Sequence, residues 1–407
     1  MNQERRLSTR LRRALTLLPP VLALGLLTAA KLKPEPGHPR KVLNEGVFAE
    51  GVCFGDVDGD GKKDFVVGPF FYSGPDFEKS TRFRPGEAVP ANGYAHKCFQ
   101  SWVYDVNKDG RADILQVTHQ REFGLALYLQ PENPSEEWPL HVVIEKFGNE
   151  SPELVDVTGD GQPELVAMEA GKFGFYTINT DDPTKPWPFR AISEPTKPYP
   201  YYHGLGIGDL NGDGRVDIVE KEGWYEAPEN PLTDAWTFHK NHFSPKGGAQ
   251  MLIYDVDGDG DNDVITSLSA HGWGLAWFEN VKTDDGLELK KHLLMPTVDE
   301  PGVGGVSFSQ HHALEKGDFN GDGLTDFVTG KRYWAHNGRD PGAKGPAVLY
   351  WFELRRTAAG EVEFIPHLID ADSGVGTQVA VADVNGDGLS DIGVGNKKGV
   401  FSFVSKR

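Results

Sequence analysis

The sequence predicts an all-β protein: a seven-bladed β-propeller of four-stranded blades, closed by an N-terminal strand that completes the last blade. Three observations predict it. One nine-residue loop pattern recurs seven times along the chain. Short apolar runs of strand length flank each copy. Gly and Pro, 49 and 28 of 407 residues, are too frequent for long helices. Composition sets the outer bounds. With 23 Phe, 9 Trp and 12 Tyr the chain can bury a core, and two cysteines exclude a disulfide-dense scaffold. A net charge of −19 argues against a nucleic-acid partner.

The N-terminus comes first in chain order. Arg5, Arg6, Arg10, Arg12 and Arg13 precede an apolar stretch over residues 14–30, which ends in Thr28-Ala29-Ala30. This is the charged, apolar and small-residue order of a secretory signal. The stretch is shorter than the ~20 residues of a spanning helix, and Pro19-Pro20 interrupts it. Residues 1–30 are therefore expected to be a signal peptide and 31–38 a Pro-rich leader, with the propeller over 39–407. The protein is then secreted, periplasmic or at the cell surface, with no membrane span in the mature chain. Once the signal is set aside, the charge of the remainder is −23.

The repeated pattern is D-x-[D/N/T]-x-D-G-x-x-[D/E], starting at Asp56, Asp105, Asp156, Asp209, Asp255, Asp318 and Asp383. Successive starts lie 49, 51, 53, 46, 63 and 65 residues apart. Oxygen-bearing side chains at positions 1, 3, 5 and 9 suit a hard cation that takes six to eight oxygens at ~2.3–2.6 Å. The expected calcium ligands are Asp56, Asp58, Asp60 and Asp64; Asp105, Asn107, Asp109 and Asp113; Asp156, Thr158, Asp160 and Glu164; and Asp209, Asn211, Asp213 and Asp217. The last three loops add Asp255, Asp257, Asp259 and Asp263; Asp318, Asn320, Asp322 and Asp326; and Asp383, Asn385, Asp387 and Asp391. Up to seven Ca²⁺ ions in a structural role follow. An EF-hand would need Glu at position 12, and only Glu220 supplies one.

Strand runs flank the loops: residues 101–104 and 251–254 before them, 65–67 and 218–219 after. Two further runs complete each unit, as at 125–129 and 141–144. Four strands per ~50 residues, seven times over, is a propeller arithmetic. The last unit runs out of chain before its outer strand, while residues 40–43 are left over at the other end. Those residues are expected to fill the gap, because an open edge is a liability.

The repeats resemble the FG-GAP (VCBS-type) family, with Phe54-Gly55-Asp56 through Val67-Gly68-Pro69 the closest phrase. The resemblance covers about residues 39–407. It implies a calcium-binding propeller like that of integrin α-subunit heads, and it leaves activity open, since relatives include adhesion modules, lectins and polysaccharide lyases. Loop 3 departs from the pattern with Thr158 and Glu164, and loop 2 with Lys108.

Calcium loops between the first and second strands place the strand 2–3 turns and the sheet-to-sheet crossings on the opposite face. The two longest spacings put extra chain there, at 296–310 and 331–346. Insertions beside one another are candidates for a ligand site. The residues expected to line it are His96, Lys97, His203, His311, His312, Arg332, Tyr333, Trp334 and His336, with Arg121 and His271 in neighbouring turns. Aromatic rings beside basic groups suit a sugar ring or an acidic polysaccharide. The leading expectation is a non-enzymatic module binding a glycan or a surface protein. The alternative is a polysaccharide lyase with His203 or His312 as base, Tyr202 or Tyr333 as acid, and Lys97 or Arg332 neutralising a uronate. His141, His239, His292 and His367 recur near outer strands and read as a repeat position. Cys53 and Cys98 are expected to stay unbridged.

Overall fold

The computed structural model describes residues 32–35, 37–119, 123–196, 201–283 and 286–406. The expected signal peptide and Arg121 lie outside the described residues. Residues 33–407 form one unit.

After β1 (Arg40–Asn44), the first antiparallel sheet holds β2 (Val52–Gly55), β3 (Asp64–Val67), β4 (Phe70–Tyr72) and β5 (Ser80–Arg82). The second has seven strands: β6 (Ser101–Tyr104), β7 (Asp113–His119), β8 (Phe123–Tyr128), β9 (Leu140–Val155), β10 (Glu164–Glu169), β11 (Lys172–Tyr176) and β12 (Phe189–Ala191). Next come β13 (Gly206–Gly208), β14 (Asp217–Glu220), β15 (Gly223–Glu226) and β16 (Thr237–Lys240). A further sheet holds β17 (Leu252–Tyr254), β18 (Asp263–Ser267), β19 (Leu275–Thr283) and β20 (Gly286–Met295). Another holds β21 (His311–Gly317), β22 (Asp326–Lys331), β23 (Leu349–Arg356) and β24 (Val362–Asp370). The last contains β25 (Val379–Ala382), β26 (Asp391–Asn396) and β27 (Gly399–Phe403), with β1 paired outside β27. Among the described residues the only helical segments are two short 3-10 turns, Val303–Gly305 and Ala335–Gly338. The chain is all-β.

The seven-stranded sheet departs from the expected four-by-four division, and β9 is the reason. Its first half pairs with β8, ending at Phe147 opposite Phe123, and its second half pairs with β10, starting at Gly148 opposite Met168. The strand runs on through Gly148, Asn149, Ser151 and Pro152 without a turn. Asn149, at φ 90°, redirects the strand between its two partners.

Burial explains the sequence texture. Every residue of β3, β14, β18, β22 and β26 is buried, so each of these second strands opens on one acid and runs straight into an apolar stretch such as Phe65-Val66-Val67 or Ile218-Val219. The outer strands β5 and β16 have no buried residue. Seven apolar clusters occur among the described residues, each joining neighbouring four-strand units. One joins the last sheet to the first, packing Ala380, Val384 and Val400 against Val52, Phe65 and Val67. First strands also touch in sequence: β2 meets both β6 and β25, β13 meets β17, and β21 meets β25.

The outer-strand histidines occupy a repeat position. His239, His292 and His367 stack on Trp224, Trp277 and Trp351 at 4.2, 4.4 and 4.2 Å. Each also bonds to a carboxylate, Glu226, Glu279 or Glu353, at 2.6–2.8 Å. Cys53 and Cys98 are buried and free.

Candidate functional site

Two edges of the sheets carry chemistry. At one edge, each repeated loop joins the first strand of a unit to the second, and its ninth residue opens that second strand. The position-1 carboxylate folds the loop around itself. In loop 1, Asp56 accepts N–H bonds from Gly59 and Gly61 at 2.8 and 3.0 Å, and Asp156, Asp209, Asp318 and Asp383 repeat both contacts. Both glycines of loop 1 have positive φ, which glycine adopts without a Cβ penalty. The ninth-position acids are buried and accept a backbone N–H from the residue after position 1: Asp64 from Val57, Asp113 from Val106, Asp263 from Val256. The other oxygen of Asp113 and Asp217 accepts a backbone N–H just past the third strand, and that of Asp263 and Asp326 one in the second half of it. Burial pushes Asp113 and Asp217 up to about 6, and Glu164, Asp263 and Asp326 up to about 7. Buried carboxylates that resist ionisation are what a nearby cation relieves.

The donor set fits calcium, being all oxygen. In loop 1 Asp56, Asp58 and Asp64, and in loop 5 Asp255, Asp257 and Asp259, bring ligating oxygens within 4.8 Å of one another. The loops differ in competition. Position 7 is Arg111 in loop 2 and Arg215 in loop 4, and each guanidinium pairs with the position-5 carboxylate, Asp109 or Asp213. In loop 5, Arg356 reaches Asp255 at 3.5 Å from a neighbouring sheet.

At the other edge lies a cleft of about 1260 Å³. Its walls come from the crossing before β13 (Tyr201, Tyr202, His203), the β14–β15 turn (Lys221, Glu222), the segment after β18 (Ser269 to His271) and the outer part of the preceding unit (Phe173, Arg190). Tyr202 donates to Glu220 at 2.5 Å, and Lys221 Nζ sits 5.2 Å over the Tyr202 ring. Burial, then the Glu220 charge, raises the Tyr202 hydroxyl so that it stays protonated.

Behind the cleft is a buried polar cluster. Glu150 Oε2 lies 3.4 Å from His203 Nε2 and 3.1 Å from His312 Nε2. The rings of His203, His271 and His312 have centroids 4.8–5.3 Å apart. Arg332 donates to His312 Nε2 at 2.8 Å and lies 3.6 Å from Glu150 and 3.5 Å from Glu50. The insertion at 331–346 brings Asp340 to His271 Nδ1 at 3.2 Å and to His336 Nδ1 at 3.0 Å. Burial would raise the Glu150 carboxyl, but His203 and His312 hold it well below the ordinary range. Burial, opposed by Asp340, lowers His271 to about 4, and burial with Arg332 lowers His312 well below its usual value.

The description "FG-GAP-like repeat" matches residues 156–220 and 318–394, which hold loops 3, 4, 6 and 7. Those two regions of the chain carry FG-GAP-like repeats. A T-cell immunomodulatory protein homolog from Plasmodium yoelii yoelii is 25% identical over 207 residues, 40% of this chain and 29% of that protein. The chain thus matches under a third of that relative's length. Among solved structures, an Agrocybe aegerita lectin described as recognising non-reducing terminal N-acetylglucosamine aligns at a TM-score of 0.45 and 16% identity, over 83% of this chain and 81% of that one. An auxiliary nutrient binding protein from Bacteroides ovatus aligns at 0.43 and 10%, over 77% and 70%.

Opposite the FG-GAP-like loops, the expected ligand residues divide into three groups. His203 lines the cleft, with Tyr202 and His271. His312 and Arg332 are buried behind it, and His311 is buried against Phe308 at 4.4 Å, so an external ligand touches none of the three. His96 and Lys97 are exposed away from the cleft, and Tyr333 and Trp334 form their own patch, with Lys398 4.5 Å over the Tyr333 ring. His336 is exposed and tied to Tyr94 and Asp340. Sequence reasoning missed Glu50, Glu150, Glu220 as a Tyr202 partner, Lys221, and Asp340.

Proposed function

We propose that the chain is an exported seven-bladed propeller that calcium stabilises and that binds a glycan in the cleft walled by Tyr202, His203 and Lys221. The observation that carries the binding reading is the cleft itself: tyrosine and phenylalanine faces beside Arg190, Lys221 and Lys246, on the edge away from the FG-GAP-like loops. Flat apolar rings cover the faces of a sugar, and Arg190, Lys221 and Lys246, interleaved with Glu194, Glu220, Glu222 and Asp234, offer partners to its hydroxyls and to a uronate carboxylate. The seven-blade reading is supported by seven loops, five second strands buried throughout and the apolar cluster linking last sheet to first. Calcium would be held by loop positions 1, 3, 5 and 9, where it offsets repulsion among three to five carboxylates per loop. The test is binding calorimetry with neutral and uronate oligosaccharides. Lys221→Ala and Lys246→Ala should each weaken uronate binding about tenfold, roughly 1.4 kcal/mol, without moving the melting temperature. Wild-type affinity in both variants sinks the cleft as the site.

A second reading is a uronate lyase, favoured by Tyr202 and His203 lining the same cleft as Lys221. In it, His203 takes the proton beside the carboxylate, Tyr202 protonates the leaving oxygen, and Lys221 neutralises the uronate. Buried His312 and Arg332 have no direct part. Incubation with uronate polysaccharides, followed by ultraviolet absorbance of the unsaturated product, separates the two: absorbance rises only for a lyase.

A further inference from the structure

Glu150 from β9, His203 before β13, His271 after β18 and His312 on β21 bring one ligating atom each within 4.8 Å of the others. Glu150 and His312 are 7% and 0% exposed. Glu150 Oε2 and His203 Nε2 nevertheless have no hydrogen-bond partner, although they lie 3.4 Å apart. Glu150 Oε2 is equally misaligned with His312 Nε2 at 3.1 Å. Buried polar atoms this close, converging without hydrogen-bond alignment, need another explanation. Four donors around an ion with ~2.0–2.1 Å bonds sit at the corners of a tetrahedron whose edges are about 3.3 Å. The two measured separations bracket that value.

The surroundings agree. His271 gives its Nδ1 to Asp340, which leaves Nε2 as its free donor. A carboxylate behind an imidazole is the usual support of a metal-bound histidine. The geometry points to a single divalent transition ion of the zinc class, held by Glu150, His203, His271 and His312 at the inner end of the cleft. Three imidazoles and one carboxylate suit zinc, cobalt or iron, and they do not suit calcium, which takes oxygen ligands. Arg332 is the competing group, since it occupies the His312 Nε2 lone pair. Metal binding transfers it to Glu50, already 3.5 Å away and carrying an unpartnered Oε1.

The proposal does not rest on glycan binding or on the repeated loops, although His203 and His271 also line the cleft. The test loads the full chain with Co²⁺ in excess calcium, so that oxygen sites are filled, and reads bound cobalt and its visible spectrum. One cobalt per chain is expected, with the ligand-field bands of a four-coordinate nitrogen-oxygen site. Glu150→Gln and His203→Ala should abolish those bands, with folding checked by the melt in calcium. Asp340→Asn leaves every ligand in place and should weaken affinity about 10–100-fold. A folded wild-type protein that holds no cobalt overturns the proposal. So does cobalt retained equally by Glu150→Gln and His203→Ala, which would mean an adventitious ion only.

Discussion

Glu153 on β9 provides a test in which sign and size both follow from position. It lies one turn of the pleat beyond the buried cluster, facing Glu315 of β21, with Lys316 as the nearby cation. Burial first, and the Glu315 charge second, push its carboxyl up to about 8. An unfolded glutamate titrates near ~4.3. The native state therefore holds this proton more tightly, and the stability it confers is complete below about pH 4 and lost as pH rises to about 8. Glu153→Gln cannot ionise, so its stability relative to the wild type should climb across that window and level off above it. At ~1.4 kcal/mol per unit the full shift would be worth about 5 kcal/mol. Glu153 is only half-buried, and water screens it, so a gain of about 2 kcal/mol between pH 4 and pH 8 is the working value. Urea titrations of both proteins at five pH values measure it, and titration of the loop acids cancels in the difference. A gap that stays constant from pH 4 to pH 8, or a variant less stable at pH 8, refutes the reasoning.

Chelating calcium should lower the melting temperature, because each filled site adds ~2.7 kcal/mol at 100 times its dissociation constant; an unchanged melt would remove the structural ion. Deleting residues 33–45 strips β1 from β27, including the Arg40 guanidinium 4.3 Å over Phe401, and exposes an edge whose Phe401 and Phe403 are buried. The truncated chain should unfold several degrees earlier and regain stability when the missing peptide is added; a melt equal to that of the intact chain counts against edge closure. At Gly376 a Cβ would stand 1.7 Å from the Glu50 carbonyl oxygen and 2.5 Å from that of Gly395. Gly376→Ala should cost about 3 kcal/mol or fail to fold, and a wild-type denaturation midpoint would show that the backbones part easily.

What the sequence disclosed and what it hid divide along one physical line. The seven repeated loops were legible because all their chemistry is local: four oxygen-bearing side chains and one or two glycines within nine residues, repeated until chance is excluded. The second strands were legible because burial on both faces puts an apolar stretch directly after the loop's last acid. The polar cluster is the opposite case. Glu150 meets His203, His271 and His312 across 50 to 160 residues of chain, and each residue alone resembles ordinary strand or turn sequence. The insertion at 331–346 was visible as excess length, yet nothing in it marked Asp340 rather than Trp334 as the residue that turns inward. A usable signal did exist on the inner edge of the repeat. Glu50, Glu150, His203 and His312 each stand six residues before the first aspartate of their loop, and the buried Gln100 and Gln250 stand five before theirs. Their side chains work across the centre: Gln100 donates to the Glu150 carbonyl at 2.7 Å, and Gln250 to that of Thr377 at 3.2 Å. Aligning the repeats on that column, as well as on the loops, places His312 and the neighbourhood of His203 beside Glu150. A buried polar residue recurring where the strands converge has to find its partner in another repeat, and that requirement converts a periodicity into a contact.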